Sequence, residues 1–277
     1  MRNIAIIQAR LNSTRLPGKI MYKINNIPVI EILYKRLKKT KKLDDVIIAT
    51  NKKSIDLINF LREKKINYFL GSDKNVLSRY YEAALKYNAD TIVRITADGI
   101  IADANLIDEF LIKFYKSNVD YLSNQEPVTY PDGLDIEIFN FKSLKHANTY
   151  ATKKYDKEHV TPFIRNYDEN KKLNILHKED LSNIRLTLDE IEDFDSLKKI
   201  FKYFNPNIFF GWKKIVSSIN KKKIKLTNQH IKRNEGASMT VSKKLWKRAK
   251  KIIPGGNMFL SKRPELFHPV LWPAYFN

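Results

Sequence analysis

The sequence contains no cysteine, which excludes disulfide bonds and metal sites built from thiolates. It also has no long apolar run that approaches the about 20 residues a membrane-spanning helix needs. The apolar run after Met1 and Arg2 covers only a few residues and is too short for a secretory signal peptide. We therefore expect a soluble cytoplasmic protein without a membrane partner.

Acidic residues are scarce relative to basic ones. The chain has 30 Asp and Glu against 51 Lys and Arg, a formal net charge of +21. More than half of this excess comes from residues 220–277. A basic balance suits nucleic acids and polyanionic small molecules such as nucleoside triphosphates alike. Because no aromatic or base-reading motif accompanies the charge, we do not expect nucleic acid as a partner.

The apolar content of 43% over 277 residues is enough for a sizeable core. Short apolar runs alternate with amphipathic helical patterns. We predict strands at 4–7, 46–49, 68–70, 91–95, 119–122, 134–139 and 184–189, and helices near 27–40, 55–61, 74–87, 106–114, 142–151 and 191–204. This alternation predicts an α/β fold with a mainly parallel central sheet and flanking helices, followed by a helical or irregular C-terminal tail.

A polar loop follows the first predicted strand and contains the turn Pro17-Gly18. It carries three cations: Arg10, Arg15 and Lys19. In an open α/β sheet, ligands bind at the carboxyl ends of the strands. Guanidinium and ammonium groups there could neutralise a triphosphate, although the same residues would also make an ordinary solvated basic loop.

The pair Gly18-Lys19 raises the question of a Walker A phosphate loop. That motif requires glycine five positions before Gly18 and serine or threonine after the lysine. Those positions hold Ser13 and Ile20. A P-loop NTPase is therefore excluded.

Carboxylates follow two other predicted strands. Asp98 comes directly after the strand at 91–95, at the same sheet edge as the cationic loop, and Asp189 ends the strand at 184–189. A magnesium ion that bridges to phosphates needs one or two carboxylates, its other ligands being water and phosphate oxygens. Asp98 could also be a turn residue with Gly99.

Other polar residues have mainly structural interpretations. Asp103 suits a helix N-cap, and Asp132 the turn of Pro131-Asp132-Gly133. Asp135 and Glu137 share one face of a predicted strand and could point into a site or face solvent. His159, beside apolar residues on a predicted helix, is more commonly a structural histidine.

These motifs resemble those of the cytidylyltransferases that activate acidic sugars, the acylneuraminate and ketodeoxyoctonate type. The resemblance covers roughly residues 2 to 205 and is strongest to the spore-coat polysaccharide branch. The matching segments, in order, are Ile7-Gln8-Ala9-Arg10, Ser13, Arg15-Leu16-Pro17-Gly18-Lys19, Gly71-Ser72, Arg79-Tyr80-Tyr81, Val93-Arg94-Ile95-Thr96 with Asp98, Pro131-Asp132-Gly133-Leu134-Asp135, Glu158-His159-Val160-Thr161-Pro162 and Arg185-Leu186-Thr187-Leu188-Asp189.

The resemblance implies a Rossmann-like nucleotide-diphospho-sugar transferase fold, CTP as substrate and Mg²⁺ as cofactor. The implied reaction transfers CMP from CTP to an acidic sugar and releases pyrophosphate, for surface polysaccharide or glycan biosynthesis. Arg10 and Lys19 would be catalytic, and Asp135 and His159 would face the acceptor sugar. The metal ligands would be Asp98 and Asp189, and the residues that contact CTP would be Ala9, Arg10, Ser13, Arg15, Lys19, Ser72 and Arg79.

One position departs from the family. Cys-Pro usually follows the metal aspartate, whereas this chain has Gly99-Ile100, which puts the local geometry and the activity in question. Two alternatives therefore stay open: a related nucleotidyltransferase with another nucleotide or acceptor, and a catalytically inactive homologue that binds nucleotide or nucleic acid. The sequence leaves the acceptor sugar and the oligomeric state open, with a homodimer as one option.

The C-terminal part differs from the rest. We expect a cytidylyltransferase domain at 1–219, a polar basic linker at 220–238 and a separate fragment at 239–277. Within this fragment, Ser242-Lys243-Lys244-Leu245-Trp246 and Ile253-Pro254-Gly255-Gly256 resemble the start of a class III pyridoxal-phosphate aminotransferase of the glutamate-semialdehyde aminomutase kind. The cofactor-binding lysine of such a domain would lie beyond residue 277, so we expect a truncated fusion without pyridoxal chemistry.

Overall fold

The computed structural model describes residues 1–11, 13, 15–233 and 248–249. One compact unit runs from Met1 to His230, and a second is assigned to Ile231–Asn277. The first unit extends past the predicted boundary at residue 219, because Ile224 and Asn228 of the predicted linker are buried in it. Apart from residues 248 and 249, the predicted aminotransferase-like fragment lies outside the described residues.

Within the described residues, seven strands form one sheet and two more form a small hairpin. In chain order they are β1 Asn3–Gln8, β2 Lys23–Ile24, β3 Ile27–Pro28, β4 Asp45–Thr50, β5 Tyr68–Leu70, β6 Thr91–Thr96, β7 Tyr121–Ser123, β8 Glu137–Asn140 and β9 Lys172–Asn174. The sheet order is β5-β4-β1-β6-β8-β7-β9. β1 pairs in parallel with β4 and β6, β4 with β5, and β7 with β9, whereas β8 is antiparallel to both neighbours. The predicted mainly parallel α/β sheet is confirmed.

Helices cover both faces of this sheet. They are α1 Val29–Leu37, α2 Ile55–Glu63, α3 Val76–Lys86, α4 Ala104–Ser117, α5 Phe141–Tyr150, α6 Lys154–His159, α7 Pro162–Asn166, α8 Ile191–Phe204 and α9 Trp212–Asn220. Alternate side chains of β1 enter two cores: Ala5 and Ile7 pack with α1, α2, α4, α8 and α9, and Ile4 and Ile6 with α3, α5 and α7. This alternation is the two-residue period of a strand buried on both faces.

Among the helices of the described residues, none has both the length and the apolar character needed to cross a membrane.

Three predictions of local structure need correction. The segment at 184–189 is not a strand of the sheet: it forms only an isolated bridge between Asp132 and Arg185, because its backbone pairs with two loops instead of with a neighbouring strand. The strand predicted at 134–139 begins only at Glu137. β9 was not predicted, since Lys172-Leu173-Asn174 has a single apolar residue and gives no pattern.

The predicted N-cap Asp103 is confirmed: its carboxylate accepts from the amides of Asn105 and Leu106.

Candidate active site

The loop after β1 and the turn after β6 lie side by side at the carboxyl edge of the sheet. Backbone bonds extend the parallel pairing beyond the strands, from the Ala9 amide to the Ala49 carbonyl and from the Ala97 amide to the Gln8 carbonyl. Gly18 ends the loop with a left-handed backbone, φ 68°, the conformation that glycine adopts without strain. The loop that carries Arg15 and Lys19 and the turn that carries Asp98 therefore lie at the same edge.

Lys19 joins this loop to the two predicted metal aspartates. Its ammonium donates to the Asp189 carboxylate at 2.8 Å and to the Leu188 carbonyl, and it lies 3.7 Å from Asp98. Arg15 also contacts Asp189, at 2.7 Å. The side chains of Lys19 and Asp189 are only 11% and 14% exposed. The structure thus brings together two predicted cations and both predicted carboxylates.

The surroundings of Asp98 favour its charged form. Burial would raise the pKa of Asp98, but the Lys19 ammonium, a hydrogen bond from Thr96 and the charge of Arg15 together hold that pKa below its usual value of 3.8. Asp98 is therefore a carboxylate at neutral pH, as a phosphate-bridging metal ion requires of its protein ligand.

The unusual Gly99-Ile100 sequence keeps Asp98 at this edge. The Gly99 amide donates to the Thr96 carbonyl at 3.1 Å and closes the turn around Asp98. A Cβ atom at position 99 would lie 3.1 Å from the Gly133 carbonyl oxygen, so glycine suits this close approach. Ile100 is fully buried in the core.

The arrangement of Asp98 and Asp189 fits magnesium. Both carboxylates approach one ammonium group, so their oxygens converge on a shared region. Within the described residues there is no group of three or more His, Asp or Glu that would hold a metal by itself. Magnesium usually takes one or two carboxylates and completes its shell with water and phosphate oxygens, which is the donor set available here.

Three further loop residues were predicted to contact CTP. Arg10 is exposed, and its charge reaches Asp73, Arg79 and His159. Ala9 is buried, 1% exposed, so only its backbone is available. The Ser13 hydroxyl accepts from the Leu16 amide at 3.4 Å and braces the loop.

Arg79, a predicted CTP contact, lies beneath the loop that carries Ser72. Arg79 is 0% exposed, and its guanidinium donates to the Ser72 carbonyl at 2.7 Å. A Cβ atom at Gly71 would lie 2.7 Å from Arg79 Cγ, so the loop packs directly onto the arginine stem. Arg79 therefore supports the loop that carries Ser72 from below, and its contact with CTP stays a prediction.

A second polar group lies on β6 and β8. Glu137, predicted to face either a site or solvent, is buried and forms an ion pair with Arg94 directly across the strands. The Tyr121 hydroxyl donates to the same carboxylate at 2.6 Å. Burial would raise the pKa of Glu137, but Arg94, Thr161 and Tyr121 hold it below its usual value. The sequence signal for this pair is Arg94 itself, because it is the one charged residue in a strand whose other residues are Ile, Val and Thr.

His159 ends α6 beside a strained turn. Val160 has φ 72° and ψ −57°, and the Thr161 amide donates to the His159 carbonyl at 2.9 Å. This is a γ-turn of the rare, strained form, adopted here by a β-branched residue. Strained backbone of this kind is concentrated at binding and catalytic sites.

The His159 side chain is exposed, and charges from several segments of the chain act on it. Partial desolvation lowers the pKa of His159, and the charges of Arg94, Arg10 and Arg165 lower it further against the opposing charge of Glu158. His159 is therefore neutral at pH 7. The sequence left His159 between a structural role and one facing the acceptor, and it did not indicate these charges, because they come from separate segments of the chain.

Asp135, the other predicted acceptor residue, lies half-buried between the turn at Gly133 and β8. Sequence reasoning also missed Arg185 and Asp193, both of which are buried beneath Asp189 and hydrogen-bonded to each other at 2.8 Å. A sequence signal for this pair was available: Arg185 lies four residues before Asp189, and Asp193 lies four residues after it.

A family model described as cytidylyltransferase matches residues 4–230. An uncharacterized protein of Methanocaldococcus jannaschii is 39% identical over 74% of this chain and 85% of its own length. The spore coat polysaccharide biosynthesis protein SpsF of Bacillus subtilis is 29% identical over 71% and 85%. A 3-deoxy-manno-octulosonate cytidylyltransferase of Fusobacterium nucleatum is 32% identical over 60% and 66%.

Solved structures agree with these relatives. The structure of a cytidylyltransferase from Leptospira borgpetersenii superposes with a TM-score of 0.76 and 31% identity, over 80% of this chain and 95% of that one. The family match includes the loop with Lys19 and both carboxylates that converge on it. The chain therefore belongs to the cytidylyltransferase family.

Proposed function

We propose that this protein transfers CMP from CTP to a hydroxyl group of an acidic sugar and releases pyrophosphate. The observation that carries the proposal is the position of the Lys19 ammonium between the carboxylates of Asp98 and Asp189, with Arg15 on the second carboxylate. The relatives named for 3-deoxy-manno-octulosonate and for spore coat polysaccharide support an acidic acceptor and a role in polysaccharide biosynthesis.

In this reaction the acceptor hydroxyl oxygen forms a bond to the α-phosphorus of CTP. The bond from that phosphorus to the oxygen bridging to the β-phosphate breaks, pyrophosphate leaves with the bonding electrons, and the proton of the acceptor hydroxyl is released to solvent. Such a step depends on positioning and on neutralising the charge of the leaving group. Arg10, Arg15 and Lys19 would supply the neutralising charge, Arg15 and Lys19 after exchanging their contact with Asp189 for contacts with phosphate oxygens.

Magnesium is part of the same proposal, with Asp98 and Asp189 as its protein ligands. When bound, it would neutralise phosphate charge and polarise the oxygens of the α-phosphate. The low pKa of Asp98 keeps this ligand ionised without any change of protonation. The Lys19 ammonium, which lies near both aspartates, would then be available to the phosphates.

The acceptor would enter beside His159 and Asp135. His159 is neutral at pH 7, and Arg94, Arg10 and Arg165 are close enough to lower its pKa. These arginines can bind an anionic ligand such as a sugar carboxylate. Arg94 and Arg165 are paired with Glu137 and Glu126, and Glu158 opposes the arginine charges at the ring.

A pyrophosphate-release assay with CTP, Mg²⁺ and a panel of acidic sugars tests the proposal. We expect turnover by the wild type and its loss in Lys19→Ala and Asp98→Ala. Lys23→Ala and Asp195→Asn, at exposed positions on β2 and α8, are the matched controls. Turnover that survives both active-site substitutions would overturn the mechanism.

The two alternatives have their own measurements. Thermal stabilisation by CTP, compared with UTP, GTP and ATP at the same concentration, identifies the nucleotide, because a ligand that binds more tightly stabilises the folded state more. Salt-dependent DNA binding without any CTP turnover would instead favour an inactive nucleic-acid-binding homologue.

A further inference from the structure

We propose that Arg185 and Asp193 are positioning residues that hold Asp189 and the turn at Asp132 in place beside Asp98, without touching a substrate. The kinetic part of this inference rests on the proposed function. Its structural part concerns the backbone at Asp189 and is testable without any turnover.

Asp193 is the centre of this network. Its side chain is 0% exposed. Arg185 donates two parallel hydrogen bonds of 2.8 Å to it, from Nε to Oδ1 and from Nη2 to Oδ2. The backbone amides of Asp189 and Glu190 both donate to Oδ2 at 2.9 Å. The Asn228 side chain donates to Oδ1 at 2.8 Å. Five donors thus fix one buried carboxylate.

Two of these donors belong to residues that line the candidate active site. The amide of Asp189 is bound to Asp193, while the Asp189 side chain contacts Lys19 and Arg15. The amide of Glu190 is bound in the same way, and its side chain lies 4.0 Å from Arg15. Any shift of these amides would therefore move the Asp189 carboxylate, which contacts Lys19 and Arg15.

Arg185 extends the network toward the acceptor side. It is 3% exposed, and its Nη1 donates to Asp132 at 3.0 Å. The backbone reinforces this contact: the Asp132 amide donates to the Ile184 carbonyl at 2.9 Å, and the Leu186 amide to the Asp132 carbonyl at 2.8 Å. The turn that precedes Asp135 is thus held by the same guanidinium that holds Asp193.

The segment at 184–189 also contacts Asp98 and Lys19. The Leu188 amide donates to the Asp98 carbonyl at 3.1 Å, and the Leu188 carbonyl accepts from Lys19. Asp193 therefore contacts Asp189 directly, and it is linked to Lys19 through Asp189 and to Asp98 through Leu188. Catalytic groups must be held to within about 0.5 Å, and a misplacement of about 1 Å can reduce the rate about 100-fold. Because this network holds Asp189, Asp98 and Lys19 together, we expect a change in it to lower the reaction rate.

The first experiment is a double-mutant cycle in the full chain. Asp193→Asn replaces one acceptor oxygen by a donor facing either Arg185 or the backbone amides, so we expect kcat/KM for CTP to fall by about 10- to 100-fold. If Asp193 acts through Asp189, the same change in an Asp189→Asn background should cost less than about threefold, since coupled sites are not additive. Asp195→Asn, two residues along α8 and exposed, should leave kcat/KM unchanged.

The second experiment measures hydrogen exchange of the Asp189 and Glu190 amides. We expect both to exchange at least about 10-fold faster in Asp193→Asn than in the wild type, and equally slowly in the Asp195→Asn control, because an amide that loses its acceptor loses its protection. Unchanged protection at both amides would overturn the proposal. So would equal rate losses from Asp193→Asn in the two backgrounds.

Folding and turnover are separated by design. If Asp193→Asn does not fold, Asn228→Ala removes only one of the five donors, and a smaller increase in exchange at Asp189 and Glu190 is expected, because the carboxylate that both amides bind is then held less firmly. If the wild type shows no CTP turnover, the proposed function fails. Hydrogen exchange still decides the positioning role in that case.

Discussion

The Lys19 ammonium lies 2.8 Å from the Asp189 carboxylate, although 170 residues separate the two in the sequence. Lys19 comes from the loop after the first strand, and Asp189 from the last segment before α8. The pair is mostly shielded from solvent, so its attraction is stronger than that of a surface ion pair. A triphosphate must compete with this carboxylate for the lysine.

Lys19→Met is expected to lower kcat/KM for CTP by about 100-fold or more, because it removes one charge that stabilises the leaving pyrophosphate. Steady-state pyrophosphate release measures the effect. Lys23→Met, on the exposed side of β2, should match the wild type. A loss below tenfold in Lys19→Met would contradict a phosphate contact.

Glu137→Gln is expected to destabilise the fold by about 3–5 kcal/mol at pH 7, because it leaves the Arg94 charge without its partner. Urea denaturation measures the difference. The folded-state pKa of Glu137 is lowered from 4.5, so its stabilisation is complete above pH 4.5 and is lost as the pH falls through the lowered value. The gap between wild type and variant should therefore shrink below pH 4.5.

Glu126→Gln is the matched control for that measurement. Glu126 pairs with Arg165 but its side chain is 61% exposed, and exposed pairs contribute about 0–1 kcal/mol. Equal losses from the two substitutions would show that the pair between Arg94 and Glu137 does not behave as a buried one.

His159→Gln is expected to change the pH dependence of acceptor binding. The pKa of His159 is lowered from 6.5, so the ring is neutral at pH 7 and gains its proton only below pH 6.5. That proton adds positive charge next to an acidic acceptor, whose carboxylate stays ionised in this range. The acceptor KM of the wild type should therefore fall as the pH drops below 6.5.

In His159→Gln the acceptor KM should stay flat over the same pH range, whereas His146→Gln, on α5, should behave like the wild type. KM values measured between pH 5 and 8 with saturating CTP decide the point. A pH dependence shared by the wild type and His159→Gln would assign the titration to another group.

Gly133→Ala is expected to destabilise the protein by about 1–3 kcal/mol more than Gly18→Ala, as judged by urea denaturation. Both glycines have positive φ, 97° and 68°, so both substitutions introduce a strained backbone of about 1–2 kcal/mol. Only at Gly133 would the new Cβ lie 2.7 Å from backbone atoms of Leu186 and Thr187, whereas at Gly18 nothing lies within 4 Å. The additional loss comes from this overpacking, and equal losses would argue against the close approach.

Much of the fold follows from local patterns in the sequence. The runs that form β1, β4 and β6 are apolar because these strands are buried on both faces, and that property is visible without a structure. The loop cations and Asp98 were also predictable, because each follows such a strand and parallel strands end at one edge. β9 was not, because an edge strand of three residues has too few side chains to show a period.

Sequence patterns alone indicate which residues can lie at the carboxyl edge: the cations of the first loop, Asp98 and Asp189, with a family signature that joins them. Which of these residues contact each other depends on the folded chain. The fold placed Lys19 between two carboxylates, buried Arg79 beneath Ser72, paired Arg94 with Glu137, and set Asp193 behind Asp189. Apolar periodicity is a local property of the chain, whereas ion pairs between distant segments depend on how the crossovers and loops bring those segments together.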